Sequence, residues 1–131
     1  MIQNKEAMET KFNFKSQICT TREQSERLID LGLKKETADM HWYKPAECEH
    51  DYWYMGVGES WATSDIPAWS LGRLLALANG EDWNAEITLK DERYGIHTGF
   101  DTMWYDDIFE AVIAWIEEDI KEGYFNKEYL V

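Results

Sequence analysis

An apolar helical stripe near the end of the chain limits the possible folds more than any other feature. Between Asp106 or Asp107 and Gly123, apolar side chains recur at helical spacing and would cover one broad face: Ile108, Phe109, Val112, Ile113, Ile116 and Ile120. A helix with such a face must bury it against other elements of the same domain. We therefore expect a core helix that an aspartate caps and a glycine ends.

Two further helices are predicted upstream. Thr21 and Gln24 have the spacing of a capping box and Gly32 supplies a stop, so the first helix should run from about Arg22 to Leu31. A second helix should begin near Pro67, or at Ser70 as its cap, and leucines recur in it at helical spacing.

Aromatic and alternating segments between the helices predict two β-hairpins. The first hairpin joins residues 40–44 to residues 51–57, and the second joins residues 86–90 to residues 94–98 through a short loop. The resulting order, α-ββ-α-ββ-α, predicts an α+β fold with three helices and a small antiparallel sheet of about four strands. We expect residues 1–17 to be a loosely ordered leader and residues 18–131 to form a single domain.

Charge is distributed unevenly along the chain. The 13 basic and 26 acidic residues give a net charge of −13. Residues 1–45 hold eight basic and seven acidic side chains, which leaves five basic and nineteen acidic for residues 46–131. Such a surface repels phosphate groups, so we expect no direct nucleic-acid binding and no binding to anionic membranes. The first residues lack a signal-peptide pattern, which favours a cytoplasmic protein with free Cys19 and Cys48.

Two strings of the sequence carry a resemblance to a known group of proteins. They are Leu31-Gly32-Leu33 followed by Glu36 to Met40 and Trp42, and later Ile66 to Gly72 with Leu74-Leu75. These strings resemble a group of short uncharacterised proteins from prophages and other mobile elements of gut Bacteroides-type bacteria. The resemblance implies a bacterial cytoplasm and a mobile-element setting, and it implies no catalytic residue, ligand or partner.

The residues that could carry chemistry form no recognisable catalytic or metal-binding pattern. Cys48 and His50 lie in one short loop, but a structural zinc site needs two such pairs, so we expect no metal and no cofactor. The small-enzyme alternative would use His41 or His97 as a general base beside a carboxylate.

Tryptophans in predicted loops favour a binding protein over an enzyme. Trp61, Trp83, Trp104 and the neighbouring Tyr105 are the candidate partner-binding residues, since exposed tryptophan and tyrosine dominate binding hot spots. Packing in the core is the competing explanation for each of them. The partner would be an unidentified protein, and the negative charge favours a basic one.

A minor alternative is an acidic inhibitor that imitates DNA. The row of acidic side chains on the last helix includes Glu110 and Glu117, but Lys121 continues the same stripe and interrupts it. We therefore expect the acidity to serve solubility and a general bias toward basic partners.

Overall fold

The order of elements is given by a computed structural model that describes residues 16–45, 52–58, 62–78, 86–98 and 101–131. Two single turns of 3-10 helix, Lys35–Thr37 and Lys127–Tyr129, accompany the main elements. In chain order these elements are α1 (Arg22–Asp30), β1 (Met40–Tyr43), β2 (Tyr54–Val57), β3 (Ile66–Ala68), α2 (Leu71–Ala78), β4 (Glu86–Lys90), β5 (Arg93–Thr98), β6 (Asp101–Tyr105) and α3 (Ile108–Glu122).

The strands form two antiparallel sheets of three strands each. One sheet has the order β2-β1-β3 and the other has the order β4-β5-β6. The α+β class and both predicted hairpins, β1 with β2 and β4 with β5, are confirmed. The prediction of one sheet with about four strands is wrong, because each hairpin gains a third strand and the two hairpins belong to separate sheets.

Two short segments account for the additional strands. Pro67 is one of the two positions predicted for the start of the second helix, but Ile66–Ala68 is a strand that pairs with β1 and places Pro67 opposite His41. Proline is tolerated there because an edge strand leaves one side of its backbone unpaired. Asp101–Tyr105 was predicted as a loop, and it pairs with β5 in register along its whole length.

The helix ends follow the sequence signals. In α1 both halves of the Thr21 and Gln24 capping box form. The Ser70 hydroxyl accepts a hydrogen bond from the Arg73 backbone N–H at 3.2 Å, so α2 begins at the serine cap. Asp107 caps α3 by accepting from the Phe109 N–H at 3.1 Å, and Gly123 ends it with a left-handed φ of 78°.

The core is built around α3, as the apolar stripe predicted. This helix packs against α1, α2, β5 and β6. Its completely buried side chains include Ala111, Val112, Ile113 and Ile116. Within the described residues, no helix is long and apolar enough to cross a membrane.

The two sequence strings named above, in residues 31–42 and 66–75, pack against each other. Asp39 of the first string accepts from the Ser70 backbone N–H at 2.9 Å and from the Ser70 hydroxyl at 2.5 Å. The Trp69 indole N–H of the second string donates to the Thr37 hydroxyl at 3.0 Å. Trp69 is completely buried, so the strings form one structural unit that holds the first sheet to α2.

The last residues of the chain close over the segment that follows α1. Leu130 forms a β-bridge with Leu33, and the Lys34 N–H donates to the Tyr129 carbonyl at 2.8 Å. The Val131 N–H donates to the Gly32 carbonyl at 2.7 Å. These contacts cover Leu33, which is 1% exposed.

Candidate functional site

A cleft of about 420 Å³ lies where α1, α3 and the end of the second sheet meet. We call it the aromatic cleft. Its lining comes from four elements and consists of Arg27, Arg93, Trp104, Tyr105, Asp106, Asp107, Glu110 and Ala114. The structure therefore brings two of the predicted partner-binding residues, Trp104 and Tyr105, into one site.

The indole ring of Trp104 on β6 lies over the backbone of the neighbouring strand. Gly95 lies directly opposite it, and a Cβ added to Gly95 would lie 2.8 Å from Cζ3 of the indole. The glycine thus allows the ring to lie against the backbone of β5. His97 meets the ring edge-on with centroids 6.2 Å apart. Trp104 is still 36% exposed, so it offers an aromatic surface to solvent.

Two ion pairs line the aromatic cleft, and they differ in length and in exposure. One guanidinium nitrogen of Arg27 contacts both carboxylate oxygens of Glu110, at 2.9 and 2.7 Å, and so joins α1 to α3. Arg93 meets Asp106 at 3.4 Å, with side chains that are 55% and 90% exposed. A pair of such exposure contributes about 0 to 1 kcal/mol, so a ligand can replace Arg93 as the partner of Asp106.

The remaining polar groups of the cleft are fixed by the fold. Gln24 donates to the second carboxylate oxygen of Asp107 at 3.2 Å while the first oxygen caps α3. Burial raises the pKa of Tyr105, and Glu117 and Glu118 raise it further. The phenol is therefore a neutral donor at physiological pH.

His97 lies on the outer face of the second sheet between two threonines. Its Nδ1 is 2.6 Å from the Thr102 hydroxyl and its Nε2 is 2.9 Å from the Thr88 hydroxyl. Both ring nitrogens are therefore occupied by hydroxyl groups. No carboxylate of a described residue hydrogen-bonds to the ring, which is the contact that the small-enzyme alternative needs.

His41 is buried in the first sheet. Its Nδ1 is 3.0 Å from the Gly58 carbonyl, to which it donates, and its ring stacks over the backbone of Gly56 so closely that an added Cβ would overlap it. Tyr43 contacts the ring from the same strand, with centroids 5.7 Å apart. Neither His41 nor His97 lines the aromatic cleft.

The described part of the chain contains one cysteine and no cluster of metal ligands. Cys19 is free and 2% exposed, and burial, followed by the charge of Asp39, raises the pKa of its thiol to about 11. No group of three or more His, Cys, Asp or Glu that could hold a metal occurs among the described residues. Cys48 and His50, like the predicted binding residues Trp61 and Trp83, lie outside the described residues.

The acidic row on α3 is interrupted by paired cations. Glu110 is engaged by Arg27, and the Lys121 ammonium lies 3.9 Å from the Glu117 carboxylate. Both carboxylates of the row predicted from the sequence therefore lie beside a basic side chain.

Comparisons of the chain with protein families, with curated protein sequences and with solved structures found no match.

Sequence reasoning missed most of the residues that surround Trp104. Arg27 and Glu110 lie on different helices and are 83 positions apart in the sequence, so no local pattern could pair them. Gly95 did leave a signal, because a glycine inside a strand often marks a close approach of other atoms. That signal did not identify Trp104 as the group that approaches it.

Proposed function

We propose that this protein is a non-enzymatic accessory protein of a phage or other mobile element, and that it binds a basic segment of another protein at the aromatic cleft. The observation that carries the binding proposal is the position of Trp104, whose ring lies against Gly95 on one side and is 36% exposed. The mobile-element setting is supported by the resemblance of the two sequence strings alone.

The chemistry of the cleft favours a cationic side chain as the central contact. A guanidinium or ammonium group stacks on an exposed indole with about 0.5 to 2 kcal/mol of attraction. Asp106, whose side chain is 90% exposed, can then accept from the same cation in place of Arg93. The net charge of −13 attracts basic partners over a longer range.

A peptide selection tests this function directly. We expect a random-peptide library selected on the immobilised protein to enrich sequences rich in lysine or arginine. The binding of an enriched peptide, measured by fluorescence anisotropy, should weaken about tenfold in Trp104→Ala, in keeping with the loss of a hot-spot aromatic. Binding should also weaken in Asp106→Asn and as salt concentration rises.

Met103→Ala is the matched control. Met103 neighbours Trp104 on β6, is 57% exposed, and points to the opposite face of the strand. The Met103→Ala variant should bind the peptide with the same affinity as the wild type. Enrichment of acidic or neutral peptides, or equal affinity of wild type and Trp104→Ala, would show that the aromatic cleft is not the binding site.

A further inference from the structure

Strand β4 forms an open edge of the second sheet. All five of its residues are exposed, and among the described strands it pairs with β5 alone. Ile87 and Leu89 are 38% and 64% exposed. They lie on the same face as Ile96, which is 4% exposed, so the apolar face of the sheet continues beyond the part that α3 covers.

The turn between β4 and β5 determines which backbone groups reach the open edge. Lys90 and Arg93 are paired across a two-residue turn in which Asp91 and Glu92 have φ values of 52° and 61°. Such a turn makes Lys90 and Arg93 a hydrogen-bonded pair. Because hydrogen-bonding direction alternates along an antiparallel strand, the N–H and C=O groups of Ile87 and Leu89 point to the open edge.

The sequence of β4 is complementary to itself in the antiparallel direction. When two copies align about Thr88, Glu86 of one copy lies opposite Lys90 of the other, and Ile87 lies opposite Leu89. Glu86 and Lys90 have no ion-pair partner among the described residues, so both charges are available. We propose that β4 pairs with β4 of a second copy in a two-fold dimer, which joins two sheets into one of six strands.

The other edge strands within the described ranges lack this complementarity. β3 contains Pro67, which cannot donate to a neighbouring strand. β2 has no charged residue, and β6 has an aspartate but no basic residue to oppose it. In the proposed β4 dimer, two-fold symmetry repeats each contact, so Glu86 pairs with Lys90 at both ends of the strand. These two charge pairs favour one register and the antiparallel direction.

The proposed interface is small. A strand of five residues buries less than the roughly 1,200 Å² that stable complexes need, so the dimer should dissociate on dilution to about micromolar concentration. It leaves the aromatic cleft of each copy open, because of the cleft residues only Arg93 adjoins the turn that ends β4.

Sedimentation analysis of charge-reversed variants tests the pairing. We expect the wild-type mass to rise from 15.5 kDa toward twice that value as protein concentration increases. Glu86→Lys places lysine opposite lysine and Lys90→Glu places glutamate opposite glutamate, so each should weaken the dimer at least tenfold. The double variant Glu86→Lys with Lys90→Glu restores opposite charges and should dimerise about as well as the wild type.

Leu89→Pro tests the backbone contact separately. It removes an N–H that points to the open edge and leaves the pairing with β5 in place, so it should be a monomer with a circular dichroism spectrum like that of the wild type. If Leu89→Pro fails to fold, the charge-reversed set decides the question alone. A wild type that stays monomeric at all concentrations, or single variants that dimerise as well as the double variant, would overturn the proposal.

Discussion

Asp119 is a carboxyl group whose environment opposes its charge. The pKa of Asp119 rises to about 6, mainly because the carboxyl group is buried. The negative charge of Glu118 raises the pKa further, and a hydrogen bond from Trp115 lowers it in part. An unfolded aspartate has a pKa of about 3.9. The folded state therefore holds this proton more tightly than the unfolded state, and the stability that protonated Asp119 contributes is lost as pH rises from about 4 to about 6.

Asp119→Asn should remove this loss. A difference of two pKa units corresponds to at most about 2.7 kcal/mol in the free energy of unfolding. We expect Asp119→Asn to gain about 1 to 2 kcal/mol at pH 7, because the half-buried carboxyl group is partly screened by water. Urea unfolding at several pH values should find the variant more stable than the wild type at pH 7 and equally stable below pH 4. Glu122→Gln on the exposed end of α3 is the control and should change stability by less than about 0.5 kcal/mol. A constant difference between Asp119→Asn and wild type at all pH values would contradict the account.

At the scale of elements, the turn between β4 and β5 has a residue that is poorly suited to its backbone conformation. Aspartate tolerates a positive φ at position 91. Glutamate at a φ of 61°, as at position 92, is strained, and glycine is the usual residue at this position of such a turn. Glu92→Gly should raise the free energy of unfolding by about 0.5 to 1 kcal/mol, measured by urea denaturation, after the entropy cost of glycine is included. Glu92→Ala retains the Cβ atom and should give no such gain. Equal stabilisation by alanine and glycine would show that the glutamate side chain, not the backbone, is responsible.

Elements that carried several agreeing signals were predicted well. The first and last helices combined a cap, an apolar stripe and a glycine stop, and their observed bounds, Arg22–Asp30 and Ile108–Glu122, agree closely with the predictions. Ile66–Ala68 and Asp101–Tyr105 were missed because short strands owe their structure to pairing with a distant strand. The helical interpretation of Pro67 was reasonable locally, since proline suits the first turn of a helix. Of the residues that line the aromatic cleft, Trp104 and Tyr105 are candidates from the sequence alone, whereas Arg27 and Glu110 are not, because their pairing depends on the packing of two distant helices.

At the scale of the whole molecule, residues 129–131 cover the segment that follows α1. Deleting residues 129–131 would remove the hydrogen bonds of Lys34 and Gly32 to the tail and expose Leu33. Two hydrogen bonds contribute about 1 kcal/mol each and burial of Leu33 contributes about 1.5 to 3 kcal/mol, so the deletion should lower the free energy of unfolding by about 3.5 to 5 kcal/mol. Thermal unfolding should detect this as a fall in Tm of roughly 10 to 20 °C. Lys127→Ala, at an exposed position of the same tail, should leave Tm nearly unchanged, and an equally stable deletion variant would contradict the account.

The same closure affects how the protein can fold during its synthesis. Gly32, Leu33 and Lys34 leave the ribosome well before their partners Tyr129, Leu130 and Val131. At the usual 5 to 20 residues per second, the delay is roughly 5 to 20 s. During that interval the nascent chain exposes Leu33 to solvent and to chaperones, so the segment that follows α1 cannot complete its packing before translation reaches the tail.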